Sequence, residues 1–175
     1  YFNMFNVISS TCYNIEVQKT PVHSERHIFF HYSVSLNNDF RVDLQNILLK
    51  SKYKDIINFD KLQNYPNDLN NVFVEICAHG YGKVCIRDIY AMNYGCLLLL
   101  HESIKDVFIL PRKMLIDNVE CLYYNFENIE SKFDYIINNT EECKKIAKNT
   151  ELLFHTYYNH NESAKLLENT LQSLI

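Results

Sequence analysis

Short apolar runs alternate along the chain with segments in which apolar residues recur at helical spacing. Five short runs are predicted as strands, the first because it is rich in aromatic and β-branched residues and the fourth because it is fully apolar, over residues 26–33, 53–59, 71–77, 96–100 and 120–124. Helices are predicted over residues 40–50 behind an Asp39 N-cap, 84–94 before Gly95, 129–137, 141–158 behind a Thr140 cap, and 161–174. Strands that alternate with helices in this way predict an α/β fold with a parallel sheet and a helical C-terminal tail.

The domain boundaries follow from where this alternation begins. Residues 1–25 have irregular polarity and no sustained period, so we expect a linker or the edge of a preceding N-terminal domain. The regular pattern covers residues 26–175, which predicts a single α/β domain. The fully apolar run Cys96–Leu100 is typical of a strand at the centre of a parallel sheet that is covered on both faces.

Composition and charge exclude several classes of function. The chain has 175 residues, a net charge of −4 and a pI near 6.0, so no basic field is present to attract nucleic acid. Its longest apolar run, Cys96–Leu100, is far shorter than the ~20 residues of a membrane-spanning helix. The six cysteines are dispersed without metal-ligand spacing, which predicts no metal site and favours a reducing, cytoplasmic compartment.

Polar residues follow three of the predicted strands. Ligands of open α/β sheets bind beyond the carboxyl ends of the strands and at the N-termini of the helices that follow. The three candidate places are His31 and Ser33 with Arg41, the loop from His79 to Lys83 with Arg87 and Asp88, and His101 with Glu102.

The second place carries the most chemistry. Gly80 and Gly82 allow backbone N–H groups to approach an anion, and the helix that follows adds the positive end of its dipole. Lys83 and Arg87, about one helical turn apart, are cations that suit the same phosphate. The loop has neither the Walker A pattern nor G-x-G-x-x-G, so neither a P-loop nor a dinucleotide site is supported.

Plainer alternatives remain open for this loop. It could be an ordinary strand-to-helix connection in which Arg87 pairs with Asp88 or Glu75 and contributes to stability alone. Cys85 could act as a thiol nucleophile, but its place in an apolar helix face favours packing.

Residues 82–100 resemble a sequence block of the GT-B glycosyltransferases, R-x-x-E-A-x-x-x-G followed by an apolar strand. Arg87, Ala91 and Gly95 stand at the matching spacing. Residues 28–33, followed by Arg41, are similar to a strand and helix of the lipopolysaccharide-modifying and protein O-glucosyltransferase relatives. Residues 120–148 are similar to the last strand and helices of the family, so the resemblance covers about residues 26–174.

The resemblance implies a Rossmann-like sheet that forms one half of a GT-B fold, namely the C-terminal domain that binds the nucleotide-sugar donor. It implies a metal-independent glycosyltransferase without a cofactor, joined to an N-terminal domain that binds a glycan, lipid or protein acceptor. The expected catalytic cations, which neutralise the leaving diphosphate, are Arg41, Lys83 and Arg87. The expected donor-binding residues are His31, Ser33, His79, Gly80, Gly82, Asp88, Tyr90, His101 and Glu102.

Tyr90 stands where many of these enzymes carry an acidic residue that holds the donor ribose. The departure motivates an alternative function, a non-catalytic Rossmann-like module that binds a nucleotide or a protein. A flavodoxin-like regulatory domain is a weaker alternative, because no acidic cluster ends the first predicted strand.

Overall fold

The computed structural model describes residues 26–110, 113–157 and Gln172. The described strands are β1 (Ile28–His31), β2 (Ile57–Asn58), β3 (Val72–Ile76), β4 (Leu97–His101) and β5 (Leu122–Tyr124). The described helices are α1 (Asp39–Lys50), α2 (Ile86–Asn93), α3 (Ile129–Asn138) and α4 (Thr140–Tyr157). Each predicted strand and helix within these residues is present, with shorter bounds for most of them.

All five strands are parallel, in the order β2-β1-β3-β4-β5. The chain runs from β1 to β2 on one side and then crosses over to place β3 on the other side of β1. The strand order therefore reverses between β1 and β3, where residues Phe30 and Val74 are in register. Doubly wound sheets open a crevice at this point, beyond the carboxyl ends of the two strands.

Apolar residues of the central strand β4 point alternately to the two faces of the sheet, and each face carries its own core. Leu97 and Leu99 belong to the core that includes residues of α1 and α3. Leu98 and Leu100 belong to the other core, with residues of α2 and Phe154 near the end of α4. Burial on both faces explains why this strand reads as a continuous apolar run.

The helix caps differ slightly from the prediction. Asn38, one residue before the predicted cap Asp39, is the N-cap of α1, and its side chain accepts a hydrogen bond from the backbone N–H of Arg41 at 2.9 Å. Asp39 is the first helical residue, where its negative charge interacts favourably with the positive end of the helix dipole. Thr140 likewise begins α4 as a helical residue, and its hydroxyl donates to carbonyl oxygens at the end of α3.

Gly95 ends α2 as predicted, with a φ of 62° that L-residues other than glycine rarely adopt. Its N–H donates to Met92 at 3.0 Å and the N–H of Cys96 donates to Ala91 at 2.9 Å, which is the pattern of a Schellman motif. The Arg26 guanidinium donates to the carbonyl oxygen of Tyr94 at 2.6 Å, where α2 ends. The turn between α2 and β4 is therefore closed by backbone and side-chain hydrogen bonds together.

The second predicted strand, over residues 53–59, is largely wrong in extent. Only Ile57 and Asn58 pair with β1, and a short 3-10 turn over Lys54–Ile56 precedes them. The predicted linker over residues 1–25 and the predicted helix over 161–174 lie outside the described part of the chain, apart from position 172. None of the described helices is long and apolar enough to cross a bilayer.

Candidate functional site

A cavity of about 180 Å³ lies where the strand order reverses. The segment after β1 and the loop after β2 supply most of its walls, and the first turn of α2 supplies Arg87. Its lining residues are His31, Ser33, Val34, Ser35, Lys61, Leu62, Tyr65 and Arg87. Three of the predicted site residues, His31, Ser33 and Arg87, are brought together here.

A buried carboxylate lies at the base of this cavity. Glu75 of β3 is fully buried although it stands in an otherwise apolar strand. Its Oε2 lies 2.6 Å from Nδ1 of His31, and its Oε1 lies 3.6 Å from a terminal guanidinium nitrogen (Nη1) of Arg87. The second contact is an ion pair and not a hydrogen bond, and neither of its two atoms has a hydrogen-bond partner among the described residues.

The partners of His31 constrain where its protons lie. Nε2 is 3.2 Å from the backbone carbonyl oxygen of Asp60, which can only accept, so Nε2 carries a proton. Nδ1 faces the carboxyl group of Glu75. The two side chains thus meet in a short contact between buried polar groups.

Arg87 is the second residue of α2, and its side chain is partly exposed to the cavity. A cation at the N-terminus of a helix opposes the helix dipole, so its contact with Glu75 offsets an unfavourable location. Tyr65 lines the same cavity, and its ring packs edge-on against the ring of Tyr90 at a centroid distance of 5.7 Å. Tyr90 therefore lies behind the lining residues.

Asp88 is buried in the first turn of α2 and closes a capping box. Its Oδ2 accepts a hydrogen bond from the backbone N–H of Cys85 at 3.0 Å. Burial is the largest effect on this group and raises the pKa of Asp88 to about 6, although the hydrogen bond from Cys85 opposes the shift. The geometry gives Asp88 a role in starting α2.

Arg41 joins α1 to the segments that follow β1 and β3. Its guanidinium donates to the carbonyl oxygen of His79 at 3.1 Å, to that of Ala78 at 3.4 Å and to that of Ser35 at 3.1 Å. A Cβ atom at Gly80 would lie 3.0 Å from the Nη2 atom of Arg41, so glycine permits this close approach. The catalytic role expected of Arg41 stays a prediction, and the structure shows a side chain held by backbone oxygens.

The glycine loop differs from the anion cradle that the sequence predicts. The N–H of Gly80 donates to the carbonyl oxygen of Gly82 at 3.1 Å, so this donor is already used. Lys83 is exposed, and its ammonium group lies 3.5 Å from the carbonyl oxygen of Ser103, beyond the end of β4. Arg87 instead contacts β3 and lines the cavity toward β1. The two cations thus face different parts of the sheet edge.

His79, which follows β3, and His101, the last residue of β4, lie in one aromatic cluster. The ring of Phe40 stacks on His79 at a centroid distance of 3.9 Å and meets His101 edge-on at 4.8 Å. Burial lowers the pKa of His101, and the nearby imidazole of His79 lowers it further. Glu102 is exposed and accepts a hydrogen bond from Asn125 at 3.2 Å. These residues lie apart from the cavity lining.

The sequence predicts that Cys85 lies in an apolar face of the helix, and this is wrong. Cys85 lies just before the first residue of α2. It is the N-cap residue, and its sulfur lies 3.6 Å from the carbonyl oxygen of Ala78. Burial raises the pKa of Cys85, which disfavours the thiolate that a nucleophile requires. Cys77, Cys96, Cys121 and Cys143 are buried free thiols.

Sequence reasoning missed five lining residues and named Glu75 only as a possible partner of Arg87. The missed residues are Val34, Ser35, Lys61, Leu62 and Tyr65. A lone charge inside the apolar run Val72–Ile76 is a signal that could have singled out Glu75, because a buried glutamate needs partners. Lys61 and Tyr65 lie in the irregular loop after β2, and their positions depend on the tertiary structure alone.

The chain matches no family model and no curated protein by sequence. Its fold is similar to several solved structures. TarM aligns with a TM-score of 0.67 and 12% identity, over 90% of this chain and 37% of that one. HepE of Anabaena, solved in complex with UDP and glucose, aligns with a TM-score of 0.58 and 9% identity, over 86% of this chain and 49% of that one.

A glycosyltransferase of Rickettsia africae aligns with a TM-score of 0.54 and 15% identity, over 83% of this chain and 39% of that one. The chain therefore spans less than half the length of each of these three structures. At such low identity the similarity concerns the fold. The parallel sheet, its strand order and its flanking helices give this chain a Rossmann-like α/β fold that is similar to part of each of these three structures.

Proposed function

We propose that this chain is the donor-binding domain of a glycosyltransferase and that the cavity between β1 and β3 holds the diphosphate of a nucleotide sugar. One observation carries the proposal: the cavity lies at the reversal of strand order and is lined by the cationic side chains Lys61 and Arg87. Open α/β sheets bind ligands at this location, and a diphosphate requires cations there.

The chemistry of sugar transfer fits these cations. Negative charge develops on the leaving diphosphate as the bond between sugar and phosphate breaks. Arg87 and Lys61 both line the cavity and can neutralise that charge, which lowers the barrier without a proton transfer to the leaving diphosphate. The hydroxyl of Ser33 adds a polar group along the same wall. The proposal assigns no metal ion and no cofactor to this step.

The size of the cavity limits how much of the donor it takes. Its volume of about 180 Å³ is below the ~300–1,000 Å³ of pockets that enclose whole drug-sized ligands. We therefore assign the diphosphate, or the diphosphate and part of the sugar, to the cavity. The nucleoside then lies along the edge of the sheet, toward the predicted residues His79, Gly82, Lys83 and His101.

The acceptor site belongs, in this proposal, to a second domain. The chain spans 37% of TarM and 49% of HepE, and in this proposal a partner domain faces the carboxyl edge of the sheet. The joined domains would transfer a sugar to a glycan, lipid or protein acceptor.

A second candidate, a nucleotide-binding module without catalysis, is favoured by Tyr90. Its ring packs against Tyr65 where an acidic residue is expected in catalytic relatives. Such a module would bind the nucleotide but support no transfer when its partner domain is present.

Calorimetric titration of the folded chain with UDP, GDP and UDP-glucose tests the proposal. We expect saturable heat with at least one of the three, and weaker binding for Arg87→Ala. Lys144→Ala is a matched control, because Lys144 pairs with Glu141 on the exposed surface of α4, away from the cavity. Absence of heat with all three ligands, in protein shown to be folded, would contradict the proposed function.

A further inference from the structure

Glu75 connects three walls of the cavity without lining the cavity itself. It is fully buried on β3, and its two carboxylate oxygens face different partners, His31 of β1 and Arg87 of α2. Through Nε2, the His31 ring reaches the backbone of Asp60, at the start of the loop that carries Lys61 into the cavity.

The carboxylate therefore fixes the orientation of both partners. A hydrogen bond of 2.6 Å on Nδ1 holds the plane of the His31 ring, and this plane directs Nε2 toward Asp60. The ion pair with Oε1 draws the Arg87 guanidinium to the base of the cavity. Without that pull, an arginine in the first turn of a helix is repelled by the helix dipole and is free to turn to solvent.

We propose that Glu75 is a positioning residue for the donor diphosphate, which it serves by holding Arg87 and the His31–Asp60 contact at the cavity. The inference rests on the proposed function, because it concerns the same cavity. It assigns a role in anion binding to a buried acid, although the negative charge of an acid, taken by itself, weakens the binding of an anion.

Charge and position predict opposite results for the near-isosteric substitution Glu75→Gln. If only charge mattered, removing a negative group beside the cavity would strengthen the binding of an anion. If position matters, Arg87 loses its partner and His31 loses its orienting carboxylate, so binding weakens. The variant Glu75→Asp keeps the charge but shortens its reach, and positioning predicts that it also binds more weakly.

The first test needs no ligand. The ¹⁵N signals of the His31 ring, measured at neutral pH in the wild-type chain, report whether each nitrogen carries a proton. We expect a proton on Nε2 in the wild type, and a changed Nδ1 signal in Glu75→Gln, which removes the carboxylate partner of that nitrogen. A neutral ring with an unprotonated Nε2 in the wild type would overturn the contact with Asp60 and, with it, the proposal.

The second test is a double-mutant cycle of Glu75→Gln and Arg87→Ala, with UDP as the probe and at a temperature where every variant is folded. We expect UDP to bind about tenfold more weakly to Glu75→Gln, and expect most of that loss to vanish in the Arg87→Ala background. Glu120→Gln is the control, since Glu120 is a buried acid that pairs with Lys113 before β5. It should bind UDP as the wild type does.

Three outcomes separate the possible failures. Unchanged or tighter UDP binding by Glu75→Gln and by Glu75→Asp overturns the positioning role alone. Fully additive effects of Glu75→Gln and Arg87→Ala overturn the statement that Glu75 acts through Arg87. Absence of UDP, GDP and UDP-glucose binding in the wild type overturns the proposed function and the donor role of Glu75 together, while the ¹⁵N signals still report whether the His31 contacts exist.

Discussion

Replacing Arg87 by alanine should weaken both nucleotide binding and folding, because this side chain faces the cavity and a buried acid at once. Sequence reasoning treats these roles as alternatives, a phosphate ligand or a partner of Asp88 or Glu75. In the structure the Arg87 guanidinium lines the cavity and lies 3.6 Å from the Oε1 atom of Glu75. The expected result is therefore a loss in both measurements.

The cost in stability follows from the contact with Glu75. Two unit charges about 4 Å apart attract by about 4 kcal/mol at an effective dielectric constant near 20. Removing one partner of a buried pair typically costs about 3–5 kcal/mol, because the other charge is left unpaired. The Arg87 side chain is 24% exposed, so water can enter the vacated space and reduce this cost. We expect Arg87→Ala to lower the free energy of unfolding by about 2–3 kcal/mol.

The cost in affinity follows from the cavity. Loss of a charge-assisted hydrogen bond to the diphosphate costs about 1.5–3 kcal/mol, which corresponds to UDP binding about ten- to a hundredfold weaker. Arg87→Lys should recover part of both losses, because lysine keeps the charge without the bidentate geometry. Denaturant unfolding gives the free energy of unfolding and calorimetric titration gives the UDP affinity, each measured for the wild type, Arg87→Ala and Arg87→Lys.

Two outcomes for Arg87→Ala would contradict these expectations. Unchanged UDP affinity together with reduced stability would make Arg87 a structural partner of Glu75 and remove it from the site. Reduced affinity with unchanged stability would instead show that the ion pair across 3.6 Å contributes nothing to folding. Neither pattern is compatible with the two roles that we assign to this side chain.

Three further predictions concern the turn at Gly95, the buried carboxyl group of Asp88 and the role of metal ions. Gly95→Ala should lower the denaturation midpoint, at a cost of about 1–2 kcal/mol, because alanine is strained at a φ of 62°, and UDP affinity should not change; equal stability would contradict the Schellman turn. The pKa of Asp88 is raised to about 6, so the folded state holds this proton more tightly than the unfolded chain does, and stability contributed by Asp88 falls as pH rises from about 4 to about 7. Relative to the variant Asp88→Asn, the wild type should lose roughly 3 kcal/mol of unfolding free energy over this pH range, as measured by thermal unfolding. Unfolding free energies of the two proteins that change in parallel with pH would refute the assignment of Asp88 as a buried acid. Because side-chain cations neutralise the diphosphate in our proposal, EDTA should leave UDP affinity unchanged, and a loss of binding at constant melting temperature would argue for a metal.

Local chemistry explains which elements the sequence predicts well. The strands β3 and β4 lie in runs of buried apolar residues, and the end of α2 is marked by a glycine that the turn requires. The short strand β2 is different, because only Ile57 and Asn58 pair with β1 and the preceding residues form a 3-10 turn. The order of the strands depends on contacts between distant segments, so periodicity along the chain cannot reveal it.

The same distinction applies to the site. His31, Ser33 and Arg87 are predictable, because each follows a strand or begins the helix behind it, and parallel strands bring these positions to one edge. Lys61 and Tyr65 reach the cavity from an irregular loop that no periodicity describes. Tertiary contacts also decide which group each of the predicted cations binds.

Arg41 and Lys83 illustrate that dependence, because both are cations near the predicted loop yet contact backbone oxygens of different segments. Residue type and spacing select candidate cations, but only the folded arrangement separates Arg87, which lines the cavity, from these two.

The location of the donor can be measured directly by following backbone amide signals while UDP is added to ¹⁵N-labelled protein. Our account predicts that the largest shifts fall on the residues around the cavity, Ser33, Lys61 and Arg87, and that they saturate with the same dissociation constant as the calorimetric heat. Saturable shifts confined to other surfaces, such as the C-terminal half of α4, would contradict the assignment of the diphosphate to the crevice between β1 and β3.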